Sequence, residues 1–192
     1  MPFDSSSVFR EFPLLDAGKV ALRHMHVDDA EDFYRYHQHP EIRPFIAKEC
    51  FPETIERALE EIRYNQRLFS YEQSIYWAIA EKETNRLIGS CGFNYWNRSH
   101  DRAEISYDLS YHYWGRGIVS GAVSVLLDYG FSSMGLRRIE ATVSKNNAGS
   151  VRVLEKNGFI LEGTLRQQKY INGAYQDMDM YSVLSDARAT EI

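Results

Sequence analysis

The sequence predicts an α/β fold in which one central mixed sheet carries helices on both faces. A strand over 102–110, a helix that opens at Gly115 and a strand over 137–143 form a strand–helix–strand unit. A crossover of this length favours a right-handed connection between two parallel strands. The strand-like runs 74–80 and 86–93 are separated by a short turn, which favours an antiparallel hairpin. Parallel and antiparallel pairs are therefore expected in the same sheet.

The N-terminal third predicts one strand followed by two helices. Polar and apolar residues alternate over 19–23, which is typical of a strand. Asp28, with Glu31 three residues later, predicts the N-terminal cap of a first helix. A second helix is expected from 52 to about 69, because its apolar residues recur at the helical period. These apolar residues are Ile55, Leu59, Ile62 and Leu68.

The C-terminal third predicts one further helix and two further strands. The helix is expected over 147–156, and the strands over 159–165 and 178–184. The dipeptide Asn172-Gly173 is typical of a tight hairpin turn. These are the last predicted elements of the sheet, and the sequence contains no internal repeat.

Length and composition indicate an ordinary globular chain. It has 192 residues, of which 44% are hydrophobic and 26% charged, and this content is enough for one packed core. We expect a single domain over 1–192, in which the polar, Ser-rich residues 1–12 form a loose arm. Cys50 and Cys91 predict neither a disulfide framework nor a metal site.

The charge and the hydropathy pattern narrow the set of partners. A net charge of −5 argues against nucleic-acid binding through phosphate neutralisation and is compatible with a cationic acceptor such as an amine. No apolar run reaches the length of a membrane span, and the N-terminus has no basic segment followed by an apolar one. We therefore expect a cytoplasmic protein that binds neither a membrane nor nucleic acid.

A glycine pair at the start of the central helix indicates a phosphate-binding loop. Two glycines leave backbone N–H groups open to a ligand, and the helix N-terminus adds partial positive charge. An arginine and a serine in the same segment offer further contacts to a pyrophosphate. A Walker-type loop is disfavoured because no Gly-Lys-Ser/Thr follows. The alternative is a glycine-rich helix start without a ligand. The segment reads Tyr113-Trp114-Gly115-Arg116-Gly117-Ile118-Val119-Ser120.

A second block further along the chain makes the glycine motif more specific. It consists of Asn147-Ala148-Gly149-Ser150, Val151-Arg152-Val153-Leu154-Glu155-Lys156-Asn157-Gly158-Phe159 and Leu161-Glu162-Gly163. Taken together, the two blocks resemble the GNAT acyl-CoA N-acyltransferases, in particular the branch similar to the ribosomal-protein alanine N-acetyltransferases of the RimJ/RimL type. The resemblance spans about 19–184 and is most specific over 102–163.

The resemblance implies a GNAT fold, with a mixed, mostly antiparallel sheet of about seven strands and a splayed parallel strand pair. It also implies acetyl-CoA as the acyl donor, with the pyrophosphate on the glycine loop and the pantetheine arm in the splay. A bulge in the strand over 102–110 would direct a backbone N–H, expected from Tyr107–Leu109, at the thioester carbonyl. No metal is implied. The residues implied to contact the donor are Tyr107, Leu109, Trp114, Gly115, Arg116, Gly117, Ile118, Val119, Ser120, Asn147, Ser150 and Lys156.

Some positions depart from the usual family pattern. Trp114 and Val119 replace the usual first and last residues of the glycine motif, although the RimJ/RimL branch often carries Trp-Gly-x-Gly here. Many relatives place a Tyr seven residues after the Asn of the second block, where it protonates the leaving thiolate. That position is Leu154, so Ser150 is the implied substitute. Asn147 either contacts the acetyl-CoA donor or only caps the helix that follows it.

The candidate catalytic carboxylates lie on the strand before the glycine loop. Alternation places Glu104 and Asp108 on one face of this strand and Tyr107 on the other. Between these two carboxylates, Glu104 is favoured over Asp108 as the catalytic base. A third hypothesis has no single essential base, and both carboxylates are then solvated or ion-paired. Lys169 stands where one member type carries a Glu thought to be the base, so its role stays open.

The predicted function is acetyl transfer from acetyl-CoA to a primary amine by direct attack in a ternary complex. The α-amine of a protein or peptide is the favoured acceptor. One alternative is a small amine, such as a polyamine, an amino sugar or an antibiotic. Another is a catalytically silent coenzyme A-binding module. The sequence leaves open whether the protein is a monomer or a homodimer.

Overall fold

The computed structural model describes residues 8–171 and 173–188, and it contains one eight-stranded sheet. The strands follow the order β1-β2-β3-β4-β5-β6-β8-β7 across the sheet. All neighbouring pairs are antiparallel except β5 and β6, which are parallel. The strands are β1 (Leu15–Ala17), β2 (Val20–Arg23), β3 (Tyr76–Glu81), β4 (Leu87–Asn97), β5 (Arg102–Leu109), β6 (Arg138–Ser144), β7 (Ile160–Ile171) and β8 (Ala174–Leu184).

Helices cover both faces of the sheet, as predicted. Because side chains alternate along a strand, neighbouring residues of β3 enter different cores. Trp77 and Ile79 pack with apolar residues of α3, whereas Ala78 packs with residues of α1 and α2. The helices are α1 (Ala30–His37), α2 (Ile55–Ser70), α3 (Ile118–Ser132), α4 (Ala148–Lys156) and α5 (Ser185–Arg188). The α/β fold with a mixed, mostly antiparallel sheet is confirmed, with β1 as a strand that the sequence did not predict.

The parallel pair β5–β6 separates along its length. The two strands pair only from Arg102–Arg138 to Glu104–Glu140, although β5 continues to Leu109. The edge of residues 105–109 that faces β6 therefore has no strand partner in the described chain. This is the splayed parallel pair that the sequence resemblance implied.

The N-terminal segment is packed rather than loose from Val8 onward. Val8 is buried in the core, and the rings of Phe9 and Phe12 pack against Phe69. The prediction of a loose arm is therefore wrong for residues 8–12, because the apolar side chains among them pack against the core. Residues 1–7 lie outside the described part of the chain.

The start of α1 is capped one residue later than predicted. Asp29, not Asp28, is the N-cap residue of α1, but its carboxylate makes no cap hydrogen bond to the helix and instead accepts from the preceding backbone N–H of His26 at 2.8 Å. The same carboxylate pairs with the buried guanidinium of Arg23 at 2.7 Å, which holds α1 against β2. Helix α2 begins after Thr54, whose hydroxyl accepts from the N–H of Arg57 at 3.2 Å.

The C-terminal hairpin lies where the sequence predicts it, within the residues that the structure describes. The β7–β8 hairpin pairs Ile171 with Ala174, and Gly173 has a φ of 83° in its turn, whereas Asn172 lies outside the described residues. Cys50 is exposed and Cys91 is buried. Among the described residues, no helix is long and apolar enough to cross a membrane, and no group of His, Cys, Asp and Glu side chains could hold a metal ion.

Candidate active site

The glycine loop connects β5 to α3 through two left-handed residues. After a short 3-10 turn at Tyr111–Tyr113, Gly115 and Gly117 have φ values of 73° and 76°. A Cβ at either glycine would meet nothing within 4 Å, so glycine is required by the backbone conformation and not by crowding. The space beside the loop is therefore open to a ligand.

The loop presents backbone donors that the described chain does not use. The first hydrogen bond of α3 runs from the N–H of Gly121 to the carbonyl of Gly117 at 3.0 Å. Within the described residues, no acceptor is found for the N–H groups of residues 115–120. Together with the positive end of the helix dipole, these donors form a site for an anion.

Two cationic side chains flank the loop. The guanidinium of Arg116 lies over the ring of Tyr113, 5.2 Å from its centroid, and it is exposed. The ammonium of Lys19 donates to the carbonyl of Arg116 at 3.3 Å. Both charges strengthen the attraction of the loop for a pyrophosphate.

Four other predicted contact residues tie the loop to its surroundings. The indole N–H of Trp114 donates to the carbonyl of Leu109 at 2.8 Å, which ties the loop to the end of β5. Ile118 is buried in the core, and the hydroxyl of Ser120 accepts from the side chain of Asn157 at 3.2 Å. Val119 is half-buried and packs against the same core.

The expected bulge in β5 is absent. Residues from Glu104 to Leu109 pair with β4 in unbroken register, and the irregularity lies instead at Asn94–Asn97 on the partner strand. The bulge prediction is therefore wrong. The regular ladder with β4 leaves the opposite edge of β5 unpaired, because β6 has already diverged.

Helix α4 brings Ser150 to the Tyr107 side of β5. Asn147 caps this helix, and its side-chain oxygen accepts from the N–H of Ser150 at 3.0 Å. The hydroxyl of Ser150 lies 2.7 Å from the hydroxyl of Tyr107. Burial raises the pKa of Tyr107 to about 12, so this phenol stays protonated. Leu154 is completely buried, and Lys156 is exposed in the last turn.

Glu104 lies where the parallel strands part. It belongs to the last paired position of β5 and β6, and its carboxylate accepts a hydrogen bond from the hydroxyl of Thr142 at 2.6 Å. Next to it, the hydroxyls of Ser106 and Tyr76 are 2.6 Å apart, and Tyr76 also donates to the side chain of Asn94. Burial raises the pKa of Tyr76, which keeps that hydroxyl neutral. Polar groups thus follow this face of β5.

Asp108 is held by three hydrogen bonds. Its carboxylate accepts from the hydroxyl of Tyr36 at 2.7 Å, and from the N–H and hydroxyl of Ser90 at 2.9 and 2.8 Å. Burial, and then the charge of Asp108, raise the pKa of Tyr36 well above its usual value, so this phenol remains a donor. The carboxylate therefore connects α1 to strands β4 and β5.

The predicted site residues fall into two groups on opposite faces of β5. Ser150 and the side chain of Tyr107 lie on the α4 side, whereas Glu104 and Asp108 lie on the other face. Lys169 is exposed on β7, in the hairpin with β8. The sequence reasoning missed Tyr36, Tyr76, Ser90 and Thr142 as partners of this site. Residue spacing gives no signal for these contacts, because each partner comes from a different element.

Comparison with known proteins agrees with this geometry. The family model described as an acetyltransferase (GNAT) domain matches residues 19–160. An N-acetyltransferase of Bacillus subtilis named YoaA, itself uncharacterised, is 36% identical over 90% of this chain and 97% of its own length.

Two Escherichia coli enzymes with different acceptors match shorter segments. The ribosomal-protein-serine acetyltransferase is 36% identical over 54% of this chain and 58% of its own length. The spermidine N(1)-acetyltransferase is 35% identical over 42% of this chain and 44% of its own length.

The fold is shared with solved acetyltransferase structures. The ribosomal-protein-S5-alanine acetyltransferase of Vibrio fischeri superposes with a TM-score of 0.81 at 26% identity, covering 91% of this chain and 97% of that chain. The family match, the relative that spans nearly the whole chain and the splayed strand pair agree. The chain belongs to the GNAT acetyltransferase family and is an N-acetyltransferase.

Proposed function

We propose that this enzyme acetylates the α-amine of a protein or peptide, with acetyl-CoA as the donor and direct transfer in a ternary complex. The observation that carries the proposal is the position of Glu104. Its carboxylate sits at the point where β5 and β6 separate, on the face of β5 where Asp108 contacts Tyr36 of α1. A donor in the splay and an amine from the opposite face would meet beside this carboxylate.

The residues of the glycine loop fit the donor. Acetyl-CoA supplies an activated acetyl thioester and carries a pyrophosphate. The N–H groups of residues 115–120 have no acceptor within the described chain, and Arg116 and Lys19 add positive charge beside them. The unpaired edge of β5 offers backbone groups to an extended pantetheine arm, as an edge strand does to an added strand. Asn147 caps the start of α4 and Lys156 is exposed in its last turn, and both are proposed contacts of the acetyl-CoA donor.

The chain's own residues account for the proton and charge changes of the transfer. Glu104 takes the proton that the amine nitrogen loses as it bonds to the acetyl carbon. The Tyr107–Leu109 backbone offers N–H donors to the charge that grows on the carbonyl oxygen. The hydroxyl of Ser150 donates a hydrogen bond to the sulfur, which keeps the electron pair of the broken C–S bond. Asp108 anchors α1 and is the second candidate for the base.

The acceptor assignment rests on proton affinity and on charge. At pH 7, about one α-amine in ten is neutral, against fewer than about one lysine in a thousand, a difference of about 3 kcal/mol. A site with one hydrogen-bonded carboxylate as its base favours the amine that loses its proton more readily. The acidic residues of α1 and α2 that form ion pairs have arginine partners: Glu31 and Asp32 pair with Arg35, and Glu60 pairs with Arg57. These pairs reduce the negative charge available to a polycation.

A polyamine is the second candidate acceptor, because a spermidine acetyltransferase is among the relatives. Thioester turnover separates the candidates when it is measured with three acceptors at equal concentration. These are a peptide with a free α-amine and no lysine, an N-terminally blocked peptide with one lysine, and spermidine. We expect the first to be the fastest. Faster turnover with spermidine would transfer the assignment to polyamines, and no turnover with any amine despite coenzyme A binding would indicate a silent binding module.

A further inference from the structure

Tyr107 and Ser150 form a hydroxyl pair across the splay. They are 43 residues apart in the sequence, and their hydroxyl oxygens lie 2.7 Å apart. The phenol of Tyr107 also lies 3.3 Å from the carbonyl oxygen of Ser150. We propose that Tyr107 is a positioning residue that orients the Ser150 hydroxyl toward the leaving sulfur. This inference rests on the proposed function, in which Ser150 donates to that sulfur.

The proposed orientation is one of the two that the hydroxyl pair can adopt. Each hydroxyl has one proton, and a single hydrogen bond joins the two oxygens. If Tyr107 donates, the proton of Ser150 is free to point at the sulfur. If Ser150 donates instead, its proton is used and the sulfur receives nothing. The first arrangement is the one that stabilises a developing thiolate.

The acidity of Tyr107 makes it an orienting group and not a proton source. Burial raises its pKa to about 12, whereas a free thiol has a pKa of about 8.5. Proton transfer from the phenol to a thiolate is therefore unfavourable, and the phenol keeps its proton throughout the usual assay range. A neutral phenol retains the proton that the proposed hydrogen bond to Ser150 requires.

The pair also compensates for a missing side chain. The position where relatives place a proton-donating Tyr is Leu154, which is completely buried in the core. No hydroxyl can come from that turn of α4. Tyr107 brings a second hydroxyl from β5 on the opposite wall, in contact with the serine that remains.

The test is a double-mutant cycle on Tyr107→Phe and Ser150→Ala. Tyr107→Phe keeps the ring and its packing while removing the hydroxyl. We expect kcat to fall about fivefold, the size of one ordinary hydrogen bond, with unchanged affinity for coenzyme A. Ser150→Ala is expected to lower kcat about tenfold or more, because its bond is to a charged sulfur. The double variant should be no slower than Ser150→Ala alone.

Tyr129→Phe is the matched control. This hydroxyl lies in the same α3-side core, where the ring packs against Trp77 at a centroid distance of 5.4 Å, and its loss should leave kcat unchanged. The shape of the pH–rate profile should also be the same in Tyr107→Phe and wild type.

Three results would overturn the inference while leaving acetyl transfer itself established. The first is an unchanged kcat in Tyr107→Phe. The second is a double variant whose loss of kcat equals the product of the two single losses. The third is the loss of a titration limb from the pH–rate profile of Tyr107→Phe. Failure of the proposed function would look different, because wild type would then transfer no acetyl group.

Discussion

The glycine loop and the carboxylates of β5 belong to one candidate site, but they are assembled from different ranges of the chain. The loop is made of consecutive residues, and its donors are aligned by the left-handed backbone at Gly115 and Gly117. The carboxylates depend on distant partners. Asp108 is held by Tyr36, 72 residues away, and Glu104 by Thr142, 38 residues away.

Because of this difference, mutations in the two regions should affect different properties of the enzyme. A change in the loop alters ligand contact directly, since the backbone itself is the binding group. A change at a carboxylate acts on the rate if the group reacts, or on stability if it only joins elements. The following predictions test that separation, in order of decreasing effect.

Glu104→Gln is expected to have the largest effect. A general base contributes typically about 10²- to 10⁴-fold, so kcat/KM should fall by that amount and the acid limb of the pH–rate profile should flatten. The affinity for coenzyme A should be unchanged. The control is Glu140→Gln, whose carboxylate lies on β6 and is ion-paired with Arg102 and Arg138. If Glu104→Gln stays within a few-fold of wild type, proton removal passes to water or to the substrate.

Gly117→Val should abolish stabilisation by the donor. Wild type should gain about 2.7 kcal/mol at a hundredfold excess of acetyl-CoA over its Kd, seen as a rise in Tm. Valine blocks the loop and is strained at a φ of 76°, so the variant is compared with its own unliganded Tm. Gly121→Ala is the control, since its Cβ would make only an ordinary contact, 3.6 Å from the carbonyl of Ala17. If acetyl-CoA raised the Tm of Gly117→Val as much as that of wild type, the loop would not be part of the acetyl-CoA site.

Asp108→Asn should lower stability more than rate. The side-chain amide would turn one acceptor into a donor among three existing donors, and leaving one buried donor unsatisfied costs about 1–3 kcal/mol. Chemical denaturation measures this loss, and kcat at a temperature where the variant is folded should stay within a few-fold of wild type. A stable variant with a hundredfold lower kcat would instead make Asp108 the base.

Acidification should produce the smallest of these effects, through Glu162. Hydrogen bonds from Arg138 and Ser182 lower the pKa of Glu162 to about 2. Because the folded pKa lies below the unfolded one, the pair stabilises the protein above about pH 4.5. That stabilisation disappears as the pH falls toward 2. The pair is partly exposed, so the loss should be under about 1 kcal/mol. Denaturation of Glu162→Gln between pH 3 and 7 should show a smaller pH dependence, and an equal dependence would contradict the assignment.

The sequence predicted the backbone geometry of the glycine loop well, because this geometry depends on neighbouring residues. Positive φ at Gly115 and Gly117, the Asn147 cap and the alternation along β5 all follow from neighbouring residues. The packed segment after Val8 and the short strand β1 depend on contacts with distant elements, so no local pattern indicated them.

The hydrogen-bond partners of the carboxylates were beyond sequence reasoning for the same physical reason. Tyr36 lies on α1 and Thr142 on β6, and only the folded sheet brings them to β5. The resemblance over 102–163 supplied Ser150, but the phenol of Tyr107 beside it emerged only from the structure. Tyr107 was predicted solely for its backbone, since alternation gives the face of a side chain and not its partner.

The most direct test of the proposed function is competition between two amines in one peptide. A peptide that carries both a free α-amine and one lysine is incubated with acetyl-CoA and the enzyme near pH 7, and the acetylated position is mapped by fragmentation in a mass spectrometer. We predict acetylation at the N-terminus, because the α-amine loses its proton about 3 kcal/mol more easily than lysine. Predominant acetylation of the lysine would contradict the α-amine assignment and the role given to the site's base.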